Sequence, residues 1–471
     1  MEKPIIYWIR RDFRIDNNPA LKFAIDTEQP IIPVFIRDEF VDSLGSAPKW
    51  RLELGLECLA QKYKTYGLDI IFKTGSADKV LTELINETNA DKVVWGRTYL
   101  PPLNDRDTKI KSLLKQKGIM AKSFPGHLLF EPWSVSPKSS DFFKVYTPFW
   151  KTTRYKDPLG SIIKVTQIRS SNQQPKSENL KNWGLGEGMS TGASIVHQHV
   201  RLGEKAAKER LDWFIANKVM HYSSSRDIPS LDGTSGLSEN LSLGEISPIE
   251  CWNAGVQALE AGHDHAEIFL KELVWREFAY HLAYHTPRIL DQNWRQEWDS
   301  FPWNTNENDE KVLLWKQGRT GVPFVDAAMR ELYVTGRMHN RGRMIVASFL
   351  TKHLMTHWKI GLKWFENCLI DWDPASNAMG WQWSAGSGPD ATPYFRVFNP
   401  NTQLEKFDKE NVYRNRWLAE FSGKNSKNAL SFFDAIPKKW KLKPGMEYPE
   451  SIVDLSEGRT LALEAYKNRQ F

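Results

Sequence analysis

The chain has 471 residues and a mass of 54.5 kDa, more than one hydrophobic core ordinarily serves, so two or three domains are expected. Charged residues at 25%, hydrophobic residues at 41% and a mean hydropathy of -0.51 exclude a protein whose bulk is embedded in a membrane. The net charge of +6 is mild, so its distribution matters more than its sum, and twenty Trp and twenty-four Phe point to flat surfaces used for stacking as well as packing.

The chain opens MEKPIIYWIRRDFRIDNN, whose apolar run is broken by Arg10 and Arg11 too early for a signal peptide. β-rich runs at 4–9, 30–36, 68–73, 92–96 and 119–124 are each separated by an amphipathic segment, such as 49–66. Alternation of this kind predicts parallel βαβ units and a doubly wound α/β domain over residues 1–130. Residues 131–200 turn to Ser, Pro, Gly and Asn and read as an irregular interdomain linker. From 201 to 471 the patterns are helical with few strand signals, so the second domain is expected to be all-α. The sequence has neither a GxGxxG nor a Walker A motif, which argues against a dinucleotide bound in the usual Rossmann manner. Cys58, Cys251 and Cys368 lie far apart with no Cys/His array at ligand spacing, so neither a disulfide framework nor a metal site is expected, and the protein reads as reduced and cytoplasmic.

Five stretches carry chemistry. In KELVWREF, Glu272, Trp275 and Arg276 fall at i, i+3 and i+4 and share one helix face; alone, the segment reads better as an amphipathic helix with one core Trp and a surface ion pair. In GRMHNRGRM, Asn340, Arg343 and Met344 repeat that spacing. They lie within 311–363, where ten Lys or Arg face two acids, the footprint expected of a phosphate-backbone binder. HYSSSRD and DGTSGLS form polar loops able to turn hydroxyls and N–H groups toward a phosphate. DWDPASNAMGWQWSAGSGPDATPYFRVFNP, residues 371–400, puts large aromatics among residues that neither favour helices nor fill a core, and reads as a site.

The order of these segments, YSSSRD, TSGLS, ELVWREF, GRTGVPFVDAAMREL, GRMHNRGRM, DWDPASNAMGWQW and PYFRVFNP, together with the WIRRDFRIDNNPAL start, resembles the photolyase and cryptochrome family. Within it the chain is most similar to the bacterial photolyases that act on cyclobutane pyrimidine dimers. The resemblance implies an α/β domain followed by an all-α domain that holds FAD, and light-driven repair of dimers in DNA by electron transfer from excited reduced FAD to a flipped-out dimer. It implies that Tyr222, Thr234, Ser235, Leu237 and Ser238 surround the FAD phosphates and sugar. By the same mapping Arg343 and Asp371 pair beside the isoalloxazine, Asp373 meets its pyrimidine edge and Asn377 faces N5.

Trp275 and Trp383 match the indoles that pack against the dimer, and Glu272, Asn340 and Met344 match its polar and thioether contacts. Arg226 and Arg341 match contacts to damaged double-stranded DNA. Trp381, Trp358 and Trp303 resemble the inner, middle and surface members of an electron-transfer chain. Gly236 replaces the basic residue common in TSRLS-type loops, which calls any phosphate or DNA contact from that position into question. An antenna pigment, methenyltetrahydrofolate or 8-hydroxy-5-deazaflavin, is implied for the α/β domain and the cleft beside it, and a monomer is expected.

Three relatives are weighed against this reading. A (6-4) photolyase would carry a second histidine at Asn340, and a DASH-type relative usually has Tyr at Trp383. A signalling cryptochrome would often carry a longer tail than the segment after Pro400.

Overall fold

The strand sequences IIYWI, IIPVFIR and KVVWG are apolar nearly throughout rather than alternating, as suits a parallel sheet covered on both faces. In the computed structural model, which describes residues 2–138, 140–159, 162–422 and 426–469, they form that sheet. Its strands are β1 (Ile5–Ile9), β2 (Ile31–Arg37), β3 (Ile71–Thr74), β4 (Lys92–Gly96) and β5 (Met120–Phe124), all parallel, in the order β3-β2-β1-β4-β5. Alternate residues of β1 serve opposite faces. Ile5, Tyr7 and Ile9 share a core with Leu21, Leu52 and Leu56 from helices Pro19–Asp26 and Ser46–Lys64. Ile6 and Trp8 share another with Leu81, Leu84 and Leu114 from Ala77–Thr88 and Pro101–Gln116.

β3 starts at Ile71 rather than 68 for a local reason. The Leu68 N–H donates to Tyr63 O at 3.2 Å, closing the end of the preceding helix, with Gly67 at φ +75 in the left-handed region that this cap requires.

The 131–200 segment, of which 139, 160 and 161 lie outside the described residues, includes the helix Tyr146–Thr153. Tyr146, Phe149 and Trp150 pack in one core with helix Ala266–His285, while Val165, Ile168 and Trp183 pack against a face of the sheet.

Helix Ala266–His285 is buried on nearly every side, so it is a central helix rather than a surface one. It organises a first helical core with Gly203–Asn217 and Pro248–Glu260; a second forms around Pro323–Thr335, Asn340–Ser348 and Trp358–Cys368. The helix Pro374–Ala385 bridges the two, with Ala375 in the first core and Trp381 and Ala385 in the second. This corrects the reading of 371–400 as non-helical and outside a core. The apparent breakers are mostly boundary signals: Asp373 Oδ1 accepts from Ser376 N at 3.0 Å as N-cap, Pro374 sits in the first turn, and Gly386 ends the helix at φ +92. Among the described residues no helix is long and apolar enough to cross a membrane, and no group of three His, Cys, Asp or Glu could hold a metal ion.

Candidate functional site

Where the two helical cores meet, a cavity of about 880 Å³ opens. It gathers residues from segments far apart in sequence: Tyr222 and Arg226; Thr234, Ser235, Leu237 and Ser238; Glu272, Trp275 and Arg276; Asn340, Arg343 and Met344; Asp371, Asp373 and Asn377; Trp381 and Trp383. Both predicted i, i+3, i+4 faces therefore turn inward onto one space. Arg341, Trp303 and Trp358 do not line it.

One wall is built from the Asn340–Ser348 and Pro374–Ala385 helices. Arg343 Nη2 pairs with Asp371 Oδ2 at 2.7 Å, and Ser238 Oγ donates to the same oxygen at 2.7 Å. Asp371 Oδ1 is buried without a partner, as are the indole N–H groups of Trp372, Trp381 and Trp417, which line the same cavity. A buried polar atom left unmade costs ~1–3 kcal/mol, so this wall calls for a ligand bearing both donors and acceptors, a description that a flavin's ring edge and amides fit. Asn377 Nδ2 donates to Leu362 O at 3.1 Å, which leaves its Oδ1 as an acceptor.

Asp373 brings in residues the sequence reading missed. Its Oδ2 accepts from Arg11 Nη2 at 3.1 Å and Tyr280 OH at 2.5 Å, and Tyr280 in turn meets His127 Nε2 at 2.9 Å. Burial would raise the Asp373 carboxyl, but the Arg11 and Arg276 guanidiniums outweigh it and hold it below the usual carboxylate range. Arg11 belongs to the turn after β1, so the α/β domain contributes to the wall. The doublet Arg10-Arg11 was a visible signal, yet nothing local pairs it with an acid 362 positions away.

The opposite side holds Glu272, whose Oε1 accepts from Arg226 Nη1 at 2.6 Å, and Trp275, whose ring lies flat on Tyr146 at 3.6 Å and 5°. Tyr146 was also missed; its signal is the aromatic run YTPFW inside a polar segment. His339 caps the Asn340–Ser348 helix by accepting from Arg341 N at 3.1 Å, which orients Asn340 and Met344. Arg341 itself pairs with Asp227 at 2.7 Å and stacks on Phe407 at 4.4 Å.

Four of the ten cations in the basic run 311–363 are paired with acids inside the fold, so its local excess overstates the free charge. Arg330, Arg337, Arg341 and Arg343 pair with Glu420, Glu239, Asp227 and Asp371, and Lys352 is fully buried. The compensating acids come from outside the run, so a local charge count misses them.

Trp381 lies against Phe365 at 5.0 Å, with its indole over Gly361, where a Cβ would come within 2.0 Å of it. Trp358 donates to Asn293 Oδ1 at 2.7 Å. Trp303 and Trp358 flank His357 at 5.0 and 5.5 Å. Trp303 is only 7% exposed, covered by Trp298 and Phe301, so it is not the surface residue that the resemblance implies. A second cavity, of about 100 Å³, lies at the carboxyl ends of β1, β2 and β4, lined by Trp8, Arg10, Phe35, Arg97 and Trp372.

Comparison with known proteins shows the family. A family profile described as the FAD binding domain of DNA photolyase matches residues 269–468, and one described as DNA photolyase matches 5–162. The chain is 42% identical to a deoxyribodipyrimidine photo-lyase of Agrobacterium fabrum, over 98% of this chain and 97% of that one. It is 31% identical to Cryptochrome-2 of Arabidopsis thaliana, over 99% of this chain and 79% of that protein. A crystal structure of a bacterial class III photolyase from Agrobacterium tumefaciens superposes with a TM-score of 0.91 at 40% identity, covering 99% of this chain and 98% of the other. The chain, with its parallel-sheet domain, its helical FAD-binding domain and its near-complete coverage of these relatives, belongs to the photolyase/cryptochrome family.

Proposed function

We propose that this protein is a deoxyribodipyrimidine photo-lyase that repairs cyclobutane pyrimidine dimers in double-stranded DNA as a monomer. One observation carries the reading: a single cavity is lined both by the acid-and-amide wall that suits a flavin and by the Trp275–Glu272 and Asn340–Met344 faces that suit an extruded lesion. Bound reduced FAD supplies the light-driven electron that opens the cyclobutane ring.

The chain's own residues bind, orient and exclude water. Trp275, held flat by Tyr146, and Trp383 offer stacking planes worth ~1–3 kcal/mol per base, which offsets much of the few kcal/mol that flipping costs. Glu272 is fixed by Arg226 and can accept from a pyrimidine N–H. Asn340 and Met344 lie on the same wall, 3.9 Å from each other, and close over the second base. Asn377 presents an oxygen and no acidic proton, so it holds an N–H at flavin N5 in place rather than protonating that atom. Asp373, favoured as the carboxylate by Arg11, would hold the pyrimidine edge of a bound flavin by accepting from it. Arg226 and Arg341, anchored by Glu272 and Asp227, border the DNA side. Trp381, Trp358 and the buried Trp303 would carry electrons toward a bound oxidised flavin.

Either antenna pigment is assigned to the cleft at the carboxyl ends of the strands. Its cavity of about 100 Å³ is below the ~300–1,000 Å³ of a typical ligand site, so its mouth must open to admit one.

The similarity to a cryptochrome gives the second reading, a blue-light photoreceptor. Repair of dimer-bearing DNA by the photoreduced protein under light supports the first; flavin photoreduction without repair supports the second.

A further inference from the structure

The loop that carries Thr234, Ser235 and Ser238, DGTSGLS, has no cation of its own, and Gly236 leaves its centre without a side chain. Gly236 adopts φ +63, and a Cβ there would lie 3.3 Å from Arg201 Nη1 and 3.5 Å from Arg210 Nε. Two guanidiniums from outside the loop therefore occupy the space that a side chain at 236 would enter.

The two differ in what they already hold. Arg210 is bidentate to Asp232 at 2.6 and 2.9 Å and also donates to the carbonyls of Ser235 and Thr234 at 2.7 and 2.8 Å. Arg337, the next cation on this wall, pairs with Glu239 at 3.0 Å. Arg201 lines the same cavity, yet among the described residues no acid stands in ion-pair contact with its guanidinium. Burial, then the like charges of Arg337 and Arg210, lower it from its ordinary value against the pull of Glu239 and Asp232, and an anion seated beside the guanidinium would offset that cost. The loop is also turned to receive one. Arg210 holds the Thr234 and Ser235 carbonyls, so planar trans peptides put the N–H groups of Ser235 and Gly236 on the opposite edge.

We propose that Arg201 is the cation of a diphosphate subsite, supplying from the segment ahead of helix Gly203–Asn217 the charge that the loop itself lacks. The ligand class is a dinucleotide diphosphate, and naming it as that of FAD rests on the flavin reading above. Arg210 is a positioning residue, spent on shaping the loop.

The test titrates FAD, and separately ADP, into the full chain freed of flavin, at low and high salt, for wild type and Arg201→Gln. Arg201→Met, which keeps the apolar stem, is the second variant in case the first does not fold. The expected result is a loss of roughly ten- to a hundredfold in affinity for both ligands, as for one charge-assisted contact, with a shallower salt dependence. Affinities within about twofold of wild type in either folded variant would overturn the assignment. If wild type binds ADP through Arg201 but not FAD, the subsite stands and the flavin reading falls. If neither ligand binds wild type, both fall.

Discussion

Replacing Arg11 with Gln removes a charge, with little change in bulk, from the wall between the domains. Its guanidinium donates to Ser242 O at 2.6 Å, Tyr280 OH at 3.0 Å and Asp373 Oδ2 at 3.1 Å. The variant leaves Asp373, only 8% exposed, without its nearest cation. Removing one partner of a buried pair costs ~3–5 kcal/mol. Tyr280, Ser376 and the more distant Arg276 remain and Arg11 keeps some solvent contact, so we expect about 2–3 kcal/mol at pH 8.

The pH dependence supplies the sharper test. In wild type Asp373 is depressed below its unfolded value of ~3.9, so its contribution is present above that value and lost as pH falls through the folded one. In the variant the Arg11 contribution is gone, so burial is opposed only by Arg276, Tyr280 and Ser376 and the carboxyl titrates higher than in wild type. Because the unfolded value is common to both proteins, the stability gap between them should be smallest below the wild-type carboxyl's folded value and widen as pH rises through the carboxylate range. Urea unfolding followed by tryptophan fluorescence reads it. A gap of equal size at every pH would mean lost packing rather than lost charge, and no gap would refute the pair's contribution altogether.

Three further outcomes follow from the geometry. Trp275→Ala removes the plane stacked on Tyr146 and should weaken binding to dimer-bearing DNA by roughly ten- to a hundredfold while leaving undamaged DNA unchanged; a gel-shift titration showing equal loss on both would contradict the pocket assignment. Gly361→Ala pushes the Trp381 indole from its seat and should slow flavin photoreduction on the order of tenfold or more; a wild-type rate under steady blue light would contradict the role of Trp381. Burial, then Arg396, push the Lys352 ammonium down to about 7, so the folded chain has shed a proton that the unfolded chain keeps. Wild-type stability should therefore rise relative to Lys352→Met from pH 7 to roughly pH 10, and a flat difference in urea midpoint would contradict it.

The strands were legible because apolar β-rich runs separated by amphipathic segments leave few alternatives, and the one start misplaced by more than a residue, at β3, turned on a cap that spends the Leu68 N–H. The faces Glu272–Trp275–Arg276 and Asn340–Arg343–Met344 were legible because helical spacing fixes which residues share a side. That both faces look into one cavity was not, since nothing in either segment specifies the packing of its partner. Long-range electrostatics were the least legible. Arg11 reaching Asp373, Arg201 beside Gly236, and Glu239 and Glu420 pairing with two arginines of the basic run all join residues whose neighbours in sequence carry no trace of the pairing. Residues 371–400 misled for a related reason, because boundary residues read as breakers until the helix they bound is seen.

The central claim is tested most directly by anaerobic repair. The photoreduced protein is mixed with DNA carrying one thymine dimer and illuminated in the near-ultraviolet absorption of reduced flavin, and recovery of intact thymine is followed against a dark control. The account predicts recovery that requires light and falls sharply in Glu272→Ala and Trp275→Ala. Flavin that binds and photoreduces while the dimers persist would contradict it.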